Sequence, residues 1–197
     1  KQLRSFLKAV DHSVKIIAVI IIIAALLFSG YAIWDNNQVY SSAKNVMLDI
    51  QKAKPTEDGN GGLDFRELLK INPDVKLWIT LDGTEIDAPV VQGKDNFYYL
   101  NHDVFCKPSL AGTLFLDARN APDFSDIYNV IYGHHMKGSL MFGDLDLYME
   151  KDFFDTNKTG TFLLPEKARK FETVAVMKVS DSMKEIFKPS VYTDDLS

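Results

Sequence analysis

A long apolar run near the N-terminus constrains this chain more than any other feature. Residues 16–34 span 19 positions and include no charged side chain. At a helical rise of about 1.5 Å per residue, the run covers about 28 Å, close to the hydrocarbon thickness of a bilayer. It is longer than the apolar part of a usual secretory signal, and no A-x-A cleavage site follows it. The sequence therefore predicts an uncleaved transmembrane helix over residues 16–34.

The charges flanking this run predict its orientation. Residues 1–15 contain four basic side chains and one acidic side chain, Asp11, which together give +3. An excess of Lys and Arg marks the cytoplasmic flank of a membrane span, so residues 1–15 are expected in the cytoplasm and the large domain outside the cell. Since the whole chain carries −5, residues 16–197 carry −8. Such an acidic domain is not expected to bind nucleic acid.

Helical and linker patterns follow the predicted span. Residues 39–50 repeat apolar side chains at helical spacing up to Pro55, which predicts an amphipathic helix that ends where proline prevents its continuation. Residues 56–62, TEDGNGG, have the composition of a polar linker. Asp64 with Glu67 three positions later is typical of a capping box, which predicts a short helix through Ile71.

From Trp78 onward the apolar period becomes that of β-strands. The sequence LWITL, the turn residues Asp82 and Gly83 and the sequence TEIDAPVV predict a hairpin. Further β-rich runs occupy residues 113–116, 128–132, 160–164 and 171–179, and residues 141–149 predict a peripheral helix. The residues after the apolar run suffice for one domain. The pattern predicts a mainly β fold, an antiparallel barrel with a few peripheral helices.

Three sequence blocks carry a resemblance to a known family. They are INPDVKLWITLDGTEIDAPVVQGKDNFYYLNHD, AGTLFLDARN and NVIYGHHMKGSLMFGDL, in this order along the chain. Together they resemble the class B sortases, membrane-anchored cysteine transpeptidases of Gram-positive bacteria. The resemblance implies a closed antiparallel β-barrel with N-terminal helices. It also implies that an NPxT-like sorting signal is cleaved through a cysteine thioester and the surface protein is passed to a peptidoglycan amine.

The same resemblance implies the partners and one catalytic residue. The expected partners are the sorting-signal peptide of a surface protein, peptidoglycan or its lipid-linked precursor, and the membrane, with no cofactor and no metal. Sortases use Cys, His and Arg as nucleophile, proton carrier and oxyanion donor. The family's YGH sequence implies His134 as the histidine. Its TLxTC strand with the cysteine, and the later strand with the arginine, belong beyond residue 197, so the 197 residues alone are expected to be inactive.

The neighbouring His135 is expected to be exposed or structural. Successive side chains of an extended segment point to opposite faces, so the two histidines are not expected to enter one site. Adjacent residues also seldom bind one metal ion, and no Cys/His spacing supports a metal site here. Without the YGH context, His134 itself would be interpreted as a hydrogen-bonded histidine at the end of a strand.

Substrate-facing residues are implied by the resemblance at Asn96, Leu100 and Tyr132. Leu100 would supply an apolar wall and Asn96 a side chain that both donates and accepts hydrogen bonds. A turn cap for Asn96 and core packing for Leu100 and Tyr132 are equally good interpretations. Arg119 in LDARN matches a framework position of the family, so a structural ion pair is expected there rather than an oxyanion donor.

Cys106 is the one cysteine of the sequence, which excludes an internal disulfide. A lone cysteine with a histidine elsewhere is a general sign of a thiol enzyme. However, Cys106 lies upstream of the histidine, between turn-forming residues, in a stretch that matches a variable connection of the family. It is therefore expected to be a partly buried small apolar residue rather than the nucleophile.

The predicted organisation has four parts. Residues 1–15 form a cytoplasmic basic segment, residues 16–34 the transmembrane helix, residues 35–62 a juxtamembrane helix and linker, and residues 63–197 a sortase-like catalytic domain without its last strands. The predicted location is the cell membrane, with a single pass. Two other functions stay open from sequence: a non-catalytic membrane-tethered module that binds sorting signals or wall components, and a thiol hydrolase that uses Cys106.

Overall fold

The computed structural model describes residues 2–57, 62–180 and 182–189. Its helices are α1 Gln2–Ile50, α2 Arg66–Ile71 and α3 Lys151–Thr156, with 3-10 helices at Gln51–Ala53, Tyr98–Leu100, Gly143–Met149 and Lys184–Phe187. The chain divides into two compact units, one ending at Ser41 and one beginning at Ser42.

The first unit contains the apolar run. Its helix is long and apolar enough to cross a membrane, and it lies near the N-terminus. The large apolar side chains of the run are exposed, as at Ile22 with 58% and Phe28 with 73% of the residue surface accessible. An exposed apolar surface of this kind is typical of a segment that crosses a membrane. The sequence prediction of a helix that can span a bilayer is therefore confirmed.

In the described residues, the second unit is built on ten short strands. In chain order they are β1 Thr56–Glu57, β2 Leu63–Asp64, β3 Val75–Leu81, β4 Asp87–Val91, β5 Leu114–Leu116, β6 Ile131–Tyr132, β7 His135–Met136, β8 Leu140–Met141, β9 Thr159–Leu163 and β10 Ala168–Glu172. Six strands form one sheet in the order β10-β9-β3-β4-β5-β6. The pairs β1-β2 and β7-β8 form separate two-stranded ribbons. Within the large sheet only β4 and β5 run parallel.

The central hairpin of β3 and β4 forms where the sequence predicts it. The amide N–H of Leu81 donates to the carbonyl of Ile86 at 2.9 Å, and that of Thr84 donates to the carbonyl of Leu81 at 3.2 Å. Gly83 adopts φ +76°, a left-handed conformation that glycine tolerates without steric cost. The turn therefore requires the glycine that the sequence supplies.

The core lies between the large sheet and the elements that precede it. Trp78, Val91 and Phe115 from the sheet pack with Ile50 and Leu68 in one buried cluster. Each of these side chains is at most 2% exposed. Burial of a large apolar side chain contributes about 1.5–3 kcal/mol, so this cluster is a main source of stability. It fixes the sheet on which the candidate site is built.

Several sequence predictions differ from the structure in detail. The mainly β prediction is confirmed, but β6 and β10 form the outer edges of the sheet among the described residues, so closure into a barrel stays a prediction. The predicted capping box does not form, since Asp64 accepts the Arg66 N–H at 3.0 Å and Glu67 pairs with Lys70. The predicted helix at residues 141–149 is a 3-10 helix.

The prediction of a β-rich run through residues 171–179 is correct only for its first two residues. Strand β10 ends at Glu172, and Val174 and Met177 are 88% and 71% exposed. Alternating apolar residues form a stable strand only when a neighbouring surface covers one face. In the described part of the chain, nothing covers these side chains. The alternation alone could not reveal that.

Candidate active site

The bend that carries His134 follows directly from the end of β6. Gly133 connects Tyr132 to His134, and a methyl group added there would overlap Leu114 and lie 2.7 Å from a ring carbon of Phe142. The His134 carbonyl accepts the Phe142 N–H at 3.0 Å. The backbone therefore passes so close to two core side chains that only glycine fits, and the position of His134 is fixed by packing.

The two adjacent histidines have different surroundings. His134 is half-buried, and its Nε2 lies 2.9 Å from the carbonyl oxygen of Leu100. His135 is exposed and its Nε2 lies 2.9 Å from Asp146 Oδ2. The prediction that His135 is exposed or structural is confirmed. The alternation of an extended segment separates the two rings, as the sequence pattern requires.

A buried carboxylate, Asp117, holds together the surroundings of His134. Its side chain has no exposed surface. Asp117 Oδ2 accepts hydrogen bonds from Asn96 Nδ2 at 2.9 Å and from the Tyr132 hydroxyl at 2.8 Å. The Arg119 guanidinium donates to both carboxylate oxygens, at 2.8 and 2.6 Å. Burial opposes ionisation, but the bonds from Arg119, Tyr132 and Asn96 outweigh it and lower the Asp117 pKa to about 2.

The predicted substrate residue Asn96 uses both ends of its side chain within the protein. Its Nδ2 donates to Asp117, and its Oδ1 accepts the Ala118 N–H at 2.7 Å. Gln92, four residues earlier, donates to the backbone carbonyls of Asp117 and Asn120. These bonds tie the loop after β4 to the chain that leaves β5. In this structure the Asn96 side chain links two loops by hydrogen bonds.

Tyr132 is held from both sides. Burial, together with the hydrogen bond to Asp117, raises the pKa of its hydroxyl to about 12, so the group stays protonated and donates to Asp117. Its ring packs against Phe115 at 5.1 Å and stacks with Phe187 at 6.1 Å between centroids. Tyr132 therefore has a positioning contact at each end of its side chain.

Leu100 ends the 3-10 helix Tyr98–Leu100 beside the histidine. Its side chain is 40% exposed, while the preceding Tyr99 is fully buried. The Tyr99 hydroxyl donates to Asp74 Oδ2 at 2.8 Å, which anchors this short helix in the core. The four predicted site residues thus meet in two contacts: His134 with Leu100, and Asn96 with Tyr132 through Asp117.

Comparison with known proteins identifies the family. A scan against protein-family models gives no match. The sortase B of Listeria monocytogenes is 38% identical over 151 residues, which cover 73% of this chain and 61% of that relative. A Streptococcus pyogenes class B sortase involved in pilus biogenesis shares 38% identity and a TM-score of 0.59, covering 68% of this chain and 70% of its own. The chain belongs to the class B sortase family.

A third comparison concerns a bound relative. The structure of a Staphylococcus aureus sortase B–substrate complex matches this class B sortase with 27% identity and a TM-score of 0.54. It covers 70% of this chain and 62% of that one. The present chain spans about three fifths of the length of the curated relatives it matches, 61% and 62%. Activity, substrate and partners of the whole protein are therefore proposals.

Asp117 is the residue of this class B sortase that sequence reasoning missed. The signal was an acidic residue directly after the buried strand LFL and two positions before Arg119. The expectation that Arg119 forms a structural ion pair is confirmed by its contact with Asp117 at 2.6 Å. A buried charge without such a partner is costly, so the pairing could have been inferred from burial.

Cys106 lies apart from the contacts of His134. It is exposed, which makes the prediction of partial burial wrong, and it adopts φ +60°. Its Sγ lies 4.0 Å from the Tyr99 hydroxyl, whereas the ring of His134 faces Leu100. Among the described residues, no group of three or more His, Cys, Asp or Glu side chains is placed to hold a metal ion.

Proposed function

We propose that this class B sortase is a cysteine transpeptidase that cleaves an NPxT-like sorting signal and transfers the surface protein to an amine of peptidoglycan or its lipid-linked precursor. The observation that carries the proposal is the place of His134, two residues beyond the end of an edge strand and fixed by Gly133 and Leu100. A histidine so held can transfer protons to and from a group alongside β6.

The nucleophile and the oxyanion donor belong to segments that the family places after the histidine block. A TLxTC strand that pairs with the outer edge of β6 would bring its thiol beside His134 and extend the sheet toward a closed barrel. The edge of β6 farthest from β5 supports this, because its hydrogen-bonding groups pair with no other strand in the described residues. The arginine of the following strand would then face the developing oxyanion.

The reaction then proceeds in two balanced halves. The thiolate sulfur attacks the scissile carbonyl carbon, the C–N bond breaks, and the departing amine takes a proton from the His134 imidazolium. The product is a thioester and a neutral imidazole. The incoming amine attacks the thioester carbon and loses a proton to His134, and the C–S bond breaks to return the thiolate. No net proton or electron is consumed.

For the substrate groove we propose unequal roles for the three implied residues. Leu100 is 40% exposed and can form an apolar wall beside His134. The polar atoms of Asn96 and Tyr132 that contact Asp117 are already engaged. These two residues would therefore shape the groove, with the second N–H and the second lone pair of Asn96 left for a peptide.

The membrane arrangement is also part of the proposal. Residues 16–34 would cross the membrane with residues 1–15 in the cytoplasm, and the second unit would lie outside the cell. The apolar surface of α1 and the charge of its first 15 residues support this orientation. A protein so tethered would meet sorting signals and wall precursors at the outer face of the membrane.

His134→Ala tests the function, with His135→Ala as a matched control. The protein is assayed as the chain extended through its TLxTC and arginine strands, with a fluorogenic peptide containing an NPxT-like motif and a soluble amine acceptor. Loss of the proton carrier should lower the rate by about 10²–10⁴-fold. The exposed His135 should tolerate the change. Full activity of His134→Ala, or binding of the peptide without cleavage by the unsubstituted protein, would reject the proposal.

A further inference from the structure

Two histidine rings face backbone carbonyls through different nitrogens. His134 Nε2 lies 2.9 Å from the Leu100 oxygen, while His102 Nδ1 lies 2.9 Å from the Tyr98 oxygen. A carbonyl oxygen can only accept a hydrogen bond, so the nitrogen that faces it must carry the proton. In the neutral ring the other nitrogen is then an acceptor. The same short helix thus supplies the carbonyls for two opposite tautomers.

We infer that the Leu100 carbonyl keeps a proton on Nε2 of His134, which makes Nδ1 the atom that exchanges protons with the reactants, and that Asp117 is the positioning residue that maintains this contact. The exchange at Nδ1 rests on the proposed function, whereas the positioning role of Asp117 does not depend on it. Nε2 keeps its proton throughout the cycle. The thiol and the scissile bond must then lie on the Nδ1 side of the ring.

The Leu100 carbonyl is closely packed against Gly112. Gly112, with φ +59°, passes so close that a methyl group there would lie 2.7 Å from the Leu100 oxygen and 2.6 Å from the Tyr99 oxygen. The Tyr99 carbonyl accepts the Thr113 N–H at 3.1 Å. Tyr99 itself is fully buried. The carbonyl that meets the histidine therefore has little freedom to turn away.

Asp117 connects this loop to the strand that carries the histidine. Through Asn96 it fixes the start of the loop that ends at Leu100, and through Tyr132 it fixes the last residue of β6. Both bonds end on the same oxygen, Oδ2. The segments that carry His134 and Leu100 are therefore both hydrogen-bonded to one buried atom, Asp117 Oδ2. Asp117 is not part of the His134–Leu100 contact. It acts on that contact through its hydrogen bonds with Asn96 and Tyr132.

The tautomers can be read directly by nuclear magnetic resonance. The chain, labelled with ¹⁵N-histidine and held in lipid nanodiscs, is studied above the titration range of imidazole by long-range ¹H–¹⁵N correlation. The sequence has four histidines, and the signals of interest are assigned by single His→Gln variants. We expect the Nε2–H form for His134 and the Nδ1–H form for His102. An Nδ1–H form at His134, or the same mixture that the exposed His12 shows, would overturn the inference.

The positioning role is tested with Asp117→Asn against Asp123→Asn. The amide of the first variant presents a donor where Asn96 and Tyr132 also donate, so the His134 nitrogen shifts should move toward averaged values. The Asp123 side chain accepts the N–H of Ser125, two residues along the chain, at 3.1 Å, so its variant should leave the His134 spectrum unchanged. Identical spectra for the two variants would reject the role of Asp117.

A second variant keeps the test decisive if Asp117→Asn fails to fold. Gly112→Ala displaces the Leu100 carbonyl directly and should shift the His134 nitrogens in the same direction. An unchanged His134 spectrum in folded Gly112→Ala would overturn the link between carbonyl and tautomer. The tautomer measurement does not require the nucleophilic cysteine, so its result is independent of the test of the proposed function. The predicted tautomer without peptide cleavage rejects only the proposed function, whereas cleavage with Nδ1–H at His134 rejects only this inference.

Discussion

Asp117 shows how one side chain can serve several others. It is fully buried yet ionised, because Arg119, Tyr132 and Asn96 all donate to it. If this carboxylate were removed, its buried donors would be left unsatisfied, at a cost of about 1–3 kcal/mol for each such group. Asp117 is therefore important to this region, although the family resemblance did not imply it as a site residue.

The pKa of Asp117 predicts a specific dependence of stability on pH. Its folded-state pKa is lowered to about 2 from the usual 3.8, so the folded protein binds the proton more weakly than the unfolded chain. The stability that the carboxylate contributes is present above about pH 4 and is lost as pH falls toward 2. We expect Asp117→Asn to flatten the fall of the thermal midpoint between pH 4 and 2. Asp49→Asn, at the exposed ion pair with Lys52, serves as the control.

If the thermal midpoint of Asp117→Asn fell as steeply with acid as that of the unsubstituted protein, the ionised state of Asp117 would not contribute to folding. At neutral pH the same variant should lose about 2–4 kcal/mol of unfolding free energy, because a buried charge-assisted network is broken. Thermal unfolding in detergent micelles measures both quantities.

Secondary-structure elements differ in how well the sequence predicts them. The β3-β4 hairpin is predictable because its turn residues and its alternation are local properties. The end of β10 is not, since exposure of Val174 depends on neighbours that the local pattern does not contain. Asp144, within the predicted peripheral helix at residues 141–149, is buried and accepts the Glu85 N–H at 2.7 Å. That contact spans 59 positions of sequence, beyond the reach of periodicity.

The site shows the same limit. The YGH sequence indicates which histidine to examine. The close approach of Leu114 and Phe142 explains why residue 133, just before it, must be glycine. The contact of His134 with Leu100 joins residues 34 positions apart. The sequence block containing Asn96 and Leu100 could be matched to a family groove, but its bonds to Asp117 follow only from the three-dimensional arrangement. Long-range pairing is the part that local chemistry does not determine.

Two turn glycines, Gly83 and Gly138, allow a matched prediction about stability. Gly83 and Gly138 have nearly equal φ values, +76° and +74°, but a methyl group at Gly83 would overlap the Asn157 side chain while one at Gly138 meets nothing within 4 Å. Gly138→Ala should cost about 1 kcal/mol from backbone strain alone. Gly83→Ala should cost measurably more, because Asn157 must also move. Equal losses in thermal unfolding would contradict the steric part of this explanation.

At the scale of the whole molecule, the single cysteine gives a reporter of orientation. Cys106 is exposed and is the only cysteine of the 197 residues. If the second unit lies outside the cell, a membrane-impermeant maleimide should label this chain in intact cells, and Cys106→Ser should abolish the label. In the Cys106→Ser background, Ser5→Cys should react only after lysis. The reverse pattern would place residues 1–15 outside and reject the proposed topology.

Family membership and local physics support each other at this scale. The order β10-β9-β3-β4-β5-β6 leaves one edge of the sheet beside the catalytic histidine candidate, and that is where a further strand could add. A sheet edge with unpaired groups is a place for pairing with another strand. The location of His134 is thus consistent with a site completed by residues from more than one block of sequence.

The shared oxygen of Asp117 also limits how such a sequence can change over time. Asn96 and Tyr132 donate to the same atom although 36 positions separate them in the sequence. Residues in one network have non-additive effects, so a replacement tolerated at one position depends on the residue present at the other. Accepted changes at these positions should therefore arise in ordered combinations, with Asp117 as the last of the three to be replaced.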